Sequence, residues 1–388
     1  MAQDVALWNA APVTRMTVGI GVGAASCDIS LDLGALHPTG HGALRLAIDT
    51  ASDPARVISA DVQPGLLHRG AEKLMEVRDY RQALMLADRH DWLSAMTSEV
   101  ALALAVEELL GIEVPARAVW LRTLLCEITR ASAALLHLAG GATLPPDGVS
   151  PVGAPGMASR EALQRCLESI SGGRVHPMIT RIGGLAYDAP EGWFDEVAAA
   201  VSLVRSELPA IEDAINRTIP ADLAVLTRDD AIAYGTSGPV ARASGLDMDA
   251  RRDRTYLSYG DLQDVLVTCV ATDGDARSRY RVLADQLAAD LDLIVAILER
   301  VPEGPIDVTL PKVVRAPEGT AYGLVESSTG MSGAYVVSVG ETTPWRVRLR
   351  TPSYAHAQSM HVALPGTPLE HLAAAIGSFM CVAGDTDH

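Results

Sequence analysis

Several features that define common protein classes are missing from this chain. No stretch approaches about 18 uninterrupted apolar residues, so the sequence predicts no transmembrane helix. The opening MAQDVALWNAAP carries an acidic residue and no long apolar run follows it, which predicts no signal peptide. A net charge of −17 argues against binding to nucleic acid or to anionic lipid, because both need clustered lysine and arginine. We therefore expect a cytoplasmic chain unless a partner holds it at a membrane.

Motifs for metals, clusters and nucleotides are also missing. The cysteines occur singly and form no CxxC pair, so we expect neither a zinc site nor an iron–sulfur site made by this chain alone. They are Cys27, Cys126, Cys166, Cys269 and Cys381. We expect reduced thiols that behave as small buried hydrophobic groups. No GxGxxG or GxxxxGKS/T follows a predicted strand, and neither GxSxG nor HExxH occurs, so no motif completes a nucleotide or hydrolase site.

Hydrophobic patterning predicts an α+β fold in three segments. Alternation of apolar residues between positions 14 and 62 predicts a small antiparallel sheet, which we assign to an N-terminal β domain of residues 1–65. Residues 66–305 predict a helical core of four or five helices. Residues 306–388 return to short strands, followed by a short helix around Leu369–Ser378 and the polar tail GDTDH.

The helix boundaries follow from capping residues and glycine or proline stops. Each expected helix has apolar positions at helical spacing between a start signal and a stop signal. The expected helices run from Thr97 or Ser98 to Leu110, from Pro115 to Leu138, from Ser159 to Ile170, from Gly192 to Thr218 and from Asp275 to Arg300. The expected late strands are Tyr322–Val325, Ala334–Val339 and Val347–Leu349.

Histidine and arginine are concentrated between His37 and Trp92, and again around His176. His37 and His41 stand four residues apart in a turn, which is a weak metal signal without a third ligand; two loop histidines bonded to backbone explain them equally well. His68 and Arg69 fit either a site or the start of a helix with a solvated arginine. From the residues alone, the chain is an acidic α+β protein with a pocket rich in histidine and arginine.

Eight blocks, in the same order, resemble the 49 kDa or D-type subunit of respiratory complex I, the proton-pumping NADH–quinone oxidoreductase. The blocks are HPTGHGALRL (37–46), GLLHRGAEKLMEVRDYRQAL (65–84), ALAVEELLGIEVPARA (103–118), LLCEITR (124–130), SGGRVHPMITRIGGL (171–185), SGPVARASGLDMDAR (237–251), LPKVVRAPEG (310–319) and RLRTPSYAHAQS (348–359). The resemblance extends from about residue 28 to the last block and beyond. It implies the fold of nickel–iron hydrogenase large subunits, whose metals are held by paired CxxC motifs that this chain lacks.

The resemblance implies a subunit that binds no cofactor itself. It implies a quinone pocket formed against a neighbouring B-type subunit that carries the terminal 4Fe–4S cluster, with further contacts to a C-type subunit and to an H-type membrane subunit. Quinone is then the substrate, nucleic acid is not a partner, and the chain lies peripherally on the cytoplasmic side of the cell membrane. A histidine that titrates near neutral pH suits protonation of a quinone oxygen.

Individual positions take their expected roles from the matching blocks. His41, with His37 beside it, matches the histidine that binds the quinone headgroup. His68 and Arg69 match the pair beside the terminal cluster, where a positive charge raises the affinity of the cluster for an electron. His176 matches the histidine whose protonation is coupled to reduction of that cluster, and Arg181 lies in the same block.

Two headgroup positions depart from the family. Trp92 stands where the family has a tyrosine, and an indole can stack and donate one N–H bond but cannot release that proton as a phenol does. Leu144 stands where a carboxylate supports the headgroup histidine, and the nearest acid is Asp147. The resemblance therefore implies weakened coupling between quinone reduction and proton uptake. The alternative hypothesis is a non-catalytic paralogue that acts in assembly or as a scaffold for another redox module.

Overall fold

The computed structural model of the chain describes residues 13–18, 29–31, 43–49, 53–142 and 155–388. The N-terminal part forms a four-stranded sheet with the strand order β2-β1-β3-β4. Its strands are β1 (Val13–Val18), β2 (Ile29–Leu31), β3 (Ala43–Asp49) and β4 (Arg56–Gln63). The β1–β3 and β3–β4 pairs are antiparallel as predicted, whereas β1 and β2 pair in parallel. Apolar alternation predicts that a segment is a strand but carries no information on the direction of its neighbour.

Helices make up most of the middle of the chain, as predicted. The described helices up to residue 300 are α1 (Ala71–Glu76), α2 (Tyr80–Ala87), α3 (Ala95–Leu110), α4 (Ala116–His137), α5 (Met157–Ser171), α6 (Trp193–Thr218), α7 (Arg228–Tyr234), α8 (Gly238–Ala243), α9 (Ala250–Asp253) and α10 (Ala276–Arg300). Helices α4, α5, α6 and α10 pack against one another as a bundle. The main hydrophobic cluster fills this bundle and extends from Leu46 on β3 to Phe379 near the end of the chain. The division into domains at residues 65 and 305 stays a prediction.

The start of α3 lies two to three residues earlier than the sequence predicted. Ser94 is the residue that precedes the helix, and its carbonyl oxygen accepts hydrogen bonds from the Ser98 amide at 3.1 Å and from the Thr97 hydroxyl at 2.8 Å. The hydroxyl of Thr97 therefore bonds back within the first turn instead of capping the helix from outside it. Gly111 ends the helix with a positive φ of 62°, as the sequence predicted.

The C-terminal part forms a three-stranded antiparallel sheet in the order β7-β8-β9, which confirms the predicted strands. Its strands are β7 (Gly319–Glu326), β8 (Met331–Ser338) and β9 (Arg346–Arg350). Helix α3 packs against β7 and β8. Gly323 permits this contact, because a Cβ atom there would lie 2.0 Å from the carbonyl oxygen of Ala101.

The last part of the chain folds back onto the N-terminal side of the bundle. It contains helices α11 (Ser353–Ala363), α12 (Leu372–Gly377) and α13 (Ala383–Thr386), and α11 packs against β4. Residues 384–388 were expected to form a polar tail, but Asp385 and Asp387 are buried. Their carboxylates accept hydrogen bonds from backbone amides of other segments, which is why polar residues are buried here.

A buried ion-pair network ties the bundle together beneath the sheet. Arg251, next to α9, contacts Asp249 at 2.7 Å, Glu127 of α4 at 3.1 Å and Asp290 of α10 at 2.8 Å. Arg130 of α4 donates to the backbone carbonyls of residues 326 and 327, both at 2.6 Å. Each buried charge has a partner of opposite sign, so breaking one pair leaves the other ion buried and unpaired.

Candidate functional site

The structure describes five of the eight predicted site residues. Three of the headgroup residues, His37, His41 and Leu144, lie outside the described residues, as does Asp147. The others lie on three segments that meet at one side of the bundle. They are His68, Arg69, Trp92, His176 and Arg181.

The segment Asp88–Trp92 follows helix α2 and alternates between buried and exposed side chains. The carboxylate of Asp79 caps α2 by accepting from the Gln82 amide at 2.9 Å. Beyond the helix, Asp88, His90 and Asp91 are buried, whereas the Arg89 side chain is partly exposed. This alternation places three titratable groups inside the protein and directs the guanidinium of Arg89 outward.

One constellation joins two of the segments predicted to lie beside a cluster. Arg69 donates from Nη2 to the carbonyl oxygen of Arg89 at 2.9 Å. Arg89 donates from Nη1 to Oδ1 of Asp88 at 2.7 Å, and its Nη2 lies 3.2 Å from the sulfur of Met178. The other oxygen of Asp88 lies 3.4 Å from Nδ1 of His176. Arg69 and His176, which are 107 residues apart in the sequence, are therefore connected through Asp88 and Arg89 (176 − 69 = 107).

Arg181 has a local role in the loop that carries His176. Its Nη1 donates to the carbonyl oxygens of Met178 at 2.7 Å and of Thr180 at 2.9 Å. Met178 has a φ of 44°, which is unfavourable for a residue with a side chain, and the bond from Arg181 helps to hold it there. The loop continues into the short hairpin of β5 (Thr180–Arg181) and β6 (Gly184–Leu185).

His68 contacts the folded-back end of the chain. Its Nδ1 lies 3.0 Å from the carbonyl oxygens of both Asp387 and His388. The carboxylate of Asp387 accepts from the amides of Gly65 at 2.6 Å and Leu67 at 2.8 Å. The end of the chain thus fixes the backbone that leads into His68 and Arg69.

Trp92 borders a small cavity of about 20 Å³, which is room for about one water molecule. Thr129 and Ser132 of α4 and Arg160 of α5 line it as well. Burial lowers the pKa of Arg160, whose Nε has no hydrogen-bond partner among the described residues. The described residues by themselves enclose no space of headgroup size at Trp92, so the headgroup pocket stays a prediction.

A second titratable cluster lies directly behind Trp92. Oδ1 of Asp385 lies 3.9 Å from Nε2 of His90, and Oδ1 of Asp91 accepts from the Ser94 amide at 3.1 Å. Burial raises the pKa of Asp91 to about 6 and that of Asp385 well above its usual range, and the charge of Asp91 raises the latter further. Burial lowers the pKa of His90 to about 3, so this imidazole is neutral at physiological pH.

Sequence reasoning missed Asp88, Asp385 and Glu99 as parts of the site. A signal existed for Glu99, because an acid within the apolar helical stretch SEVALALAVEELL is expected to be buried with α3. Burial raises the pKa of Glu99 to about 7, and the charge of Asp88 adds to this increase. No comparable signal exists for Asp385, because its partners are distant in the sequence.

The described residues contain no group of three or more histidine, cysteine or acidic side chains that could hold a metal ion. No helix in the described ranges is both long enough and apolar enough to cross a membrane. Cys126, Cys166 and Cys381 are buried free thiols, and burial raises the pKa of each. The described thiols are therefore protonated and poorly reactive.

A helical bundle flanked by two small sheets, with its histidine and arginine residues at one side, matches a family of respiratory-chain subunits. The family model described as "Respiratory-chain NADH dehydrogenase, 49 Kd subunit" matches residues 150–315 and 309–388. The chain belongs to this family.

Curated relatives match over nearly their whole length. The first of the D-type subunits of NADH-quinone oxidoreductase in Streptomyces coelicolor is 47% identical over 384 residues, covering 97% of this chain and 99% of that protein. The D-type subunit of NADH-quinone oxidoreductase in Desulforamulus reducens is 34% identical over 365 residues, covering 93% of this chain and 98% of that protein.

A solved structure shares the fold. A chain of the membrane-bound sulfane sulfur reductase, an archaeal respiratory membrane complex, superposes with a TM-score of 0.82 at 32% identity. The match covers 90% of this chain and 95% of that chain. The same fold therefore serves in respiratory membrane complexes whose names give different electron acceptors.

Proposed function

We propose that this chain and a cluster-bearing neighbouring subunit together form the site at which a respiratory complex passes electrons from NADH to quinone. The observation that carries this proposal is the constellation of Arg69, Arg89, Asp88 and His176 on one side of the bundle. It combines two cations with an imidazole and its carboxylate, which is the set that tunes an adjacent electron carrier and supplies a proton. The names of the relatives support the reaction.

Each member of the constellation has a distinct part in this function. A guanidinium cannot lose its charge at physiological pH, so Arg69 and Arg89 stabilise the added electron on a cluster held next to them. His176 binds a proton when negative charge accumulates nearby, and Asp88 at 3.4 Å stabilises the imidazolium that forms. Buried Asp88 also fixes the direction of both side chains through its two oxygens.

The headgroup site is proposed at Trp92, His37 and His41, with Leu144 in place of the supporting carboxylate. Trp92 presents an apolar ring with a single N–H donor next to Thr129 and Ser132. An indole cannot provide the proton that a phenol provides, so His41 becomes the main proton donor to the quinone. The proposed partners are the B-type and C-type subunits and the H-type membrane subunit, with the chain on the cytoplasmic side of the membrane.

Purification of the complex from membranes in mild detergent tests the proposal. The chain should co-purify with iron–sulfur subunits and with NADH–quinone reductase activity that a quinone-site inhibitor abolishes. The variants Arg89→Ala and His176→Ala should lower this activity, whereas electron transfer from NADH to a soluble acceptor that bypasses the quinone should stay intact. A complex that assembles with this chain but reduces no quinone would contradict the proposal.

A second function is favoured by Trp92 and Leu144 together. A paralogue that has lost both groups retains the fold and its docking surfaces and serves assembly or another redox module, and the sulfane sulfur reductase shows the fold in a different respiratory complex. Mass spectrometry of the purified assembly separates the two functions. Partners typical of a full NADH–quinone oxidoreductase favour the first, and a different redox subunit favours the second.

A further inference from the structure

Helix α3 carries two buried acids that hold the loop containing His176. Oε2 of Glu99 accepts from the amide of Thr180 at 2.9 Å. Oε1 of Glu107, two turns further along the helix, accepts from the amide of Gly183 at 2.7 Å. The hairpin of β5 and β6 is therefore anchored to α3 at two points by carboxylates.

The two acids differ in how their charge is balanced. Glu107 receives two bonds from Arg122, at 2.7 and 3.0 Å, so its negative charge is neutralised in place. Glu99 has no cationic nitrogen within 4 Å among the described residues, and its Oε1 is buried without a hydrogen-bond partner there. A buried carboxylate in this setting favours the protonated form, because the ionised form has lost its hydration without gaining an opposite charge.

The groups that face Glu99 make its protonation depend on the functional site. Asp88 at the end of α2 acts on it with a negative charge, and the Cys126 thiol of α4 also faces it. Asp88 in turn lies against His176 and Arg89, while Arg181 is occupied with carbonyls of the loop. Burial raises the pKa of Glu99 to about 7, and the Asp88 charge contributes to the increase.

We propose that Glu99 is a positioning residue of the site that both anchors the loop of His176 and exchanges a proton in response to the charge of the Asp88–His176 pair. This assignment rests on the proposed function. Protonation of His176 neutralises the negative charge that Asp88 presents, and Glu99 then holds its own proton less tightly. The proton leaves an oxygen of Glu99 when one arrives on the imidazole nitrogen of His176, no electron moves in the step, and the net charge of the three groups stays constant.

The substitution Glu99→Gln separates the two parts of this role. A glutamine side-chain carbonyl still accepts the bond from Thr180, so the anchor persists while the exchangeable proton is removed. Glu99→Asp keeps an acid and serves as the conservative variant. Glu108→Gln makes the same chemical change on an exposed residue of the same helix and is the matched control.

The test uses the intact membrane complex carrying each variant. Two quantities are measured between pH 6 and pH 8: the inhibitor-sensitive NADH–quinone reductase rate, and the midpoint potential of the terminal cluster followed by electron paramagnetic resonance. A single group titrating near pH 7 changes the wild-type rate by up to about tenfold over this range. We expect Glu99→Gln to reduce this change to about twofold and to flatten the pH dependence of the potential. Glu99→Asp should retain both dependences, and Glu108→Gln should match the wild type.

Each other outcome overturns the assignment in a distinguishable way. An active wild-type complex with identical pH dependence in Glu99→Gln refutes the role of Glu99 and leaves the proposed function intact. A wild-type complex that reduces no quinone refutes the proposed function, and the assignment fails with it. Loss of assembly in Glu99→Gln, with or without loss in Glu99→Asp, means that the acid is needed only for the fold and also refutes a proton-exchanging role.

Discussion

The buried carboxylate of Asp88 joins two side chains that the sequence places far apart, because one oxygen binds Arg89 at 2.7 Å and the other lies 3.4 Å from Nδ1 of His176. Asp88 has no exposed surface, whereas the side chains of Arg89 and His176 are 39% and 31% exposed. The acid is thus a fixed internal support, and the two cationic groups are the parts that a neighbouring subunit can reach.

Replacing Asp88 by asparagine tests this support. The amide keeps the size of the side chain but removes the charge that orients Arg89 and His176, and a charge-assisted hydrogen bond contributes about 1.5–3 kcal/mol. We expect the inhibitor-sensitive quinone reductase rate of the complex to fall about tenfold, since about 1.4 kcal/mol corresponds to a factor of ten. Asp79→Asn, which replaces the cap of α2 with another good capping residue, is the control and should retain the rate. Equal rates in both variants would show that Asp88 has no part in the reaction.

Restoring the family carboxylate tests the interpretation of Leu144. In Leu144→Asp, the acid should support the protonated form of His41 and strengthen the coupling of quinone reduction to proton uptake, by a bond of about 1.5–3 kcal/mol. The measurement is the quinone reductase rate of the complex across pH 6 to 8, with Leu144→Asn as the uncharged control. If Leu144→Asp changes neither rate nor pH profile, our account of this position is wrong.

The neutral imidazole of His90 makes the chain sensitive to acid. An unfolded histidine titrates near its ordinary pKa of 6.5, whereas burial lowers the pKa of folded His90 to about 3. The unfolded chain therefore binds more protons between these values, so the contribution of His90 to stability is complete above pH 6.5 and is lost as the pH falls toward 3. Relative to wild type, His90→Gln should gain about 3 kcal/mol in free energy of unfolding between pH 7 and pH 4.

Urea titrations of the purified chain at several pH values measure this difference. His361→Gln removes one imidazole from an exposed position and is the matched control. A difference between His90→Gln and the wild type that does not vary with pH would show that His90 does not stay neutral in the folded chain.

The clamp formed by Asp387 should contribute measurably to stability. Asp387→Ala leaves the amides of Gly65 and Leu67 without their acceptor, at a cost of about 1–3 kcal/mol. Asp387→Asn keeps one acceptor oxygen and should lose less. Thermal unfolding gives the stability, and protease cleavage within residues 65–69 reports local opening. The exposed Asp264→Ala variant should behave as wild type, and equal thermal stability of Asp387→Ala would contradict the clamp.

Local signals predicted the long helices well and the first turn of α3 less well. Helix α10 has the boundaries predicted from Asp275 and Arg300, because the carboxylate of Asp275 accepts from the Ser278 amide as a cap. The start of α3 differed because a threonine hydroxyl has two local partners, an amide outside the helix or a carbonyl of the preceding turn, and the sequence does not say which one it takes.

The site was predicted in part, for a related physical reason. The matching blocks identified Arg69 and His176 as site residues but not the acids that connect and orient them. Asp88 resembled a surface partner of Arg89, which it also is, and its second contact depends on a loop about 90 residues later. The burial of Asp385 depends on partners farther away still. Contacts of this kind follow from packing of the whole chain rather than from spacing within one element.

The clamp between Asp387 and the Gly65–Leu67 backbone also bears on the order of events during synthesis. The two partners are separated by 322 residues, so the earlier segment waits for most of the chain to be made before its acceptor exists. At about 5–20 residues per second, this delay is roughly 15 to 60 s. During that interval the backbone leading to His68 and Arg69 has no partner in residues 384–388. Closure of this side of the protein is thus a late folding event, and a chain released early from the ribosome would lack an ordered site even with its helical bundle complete.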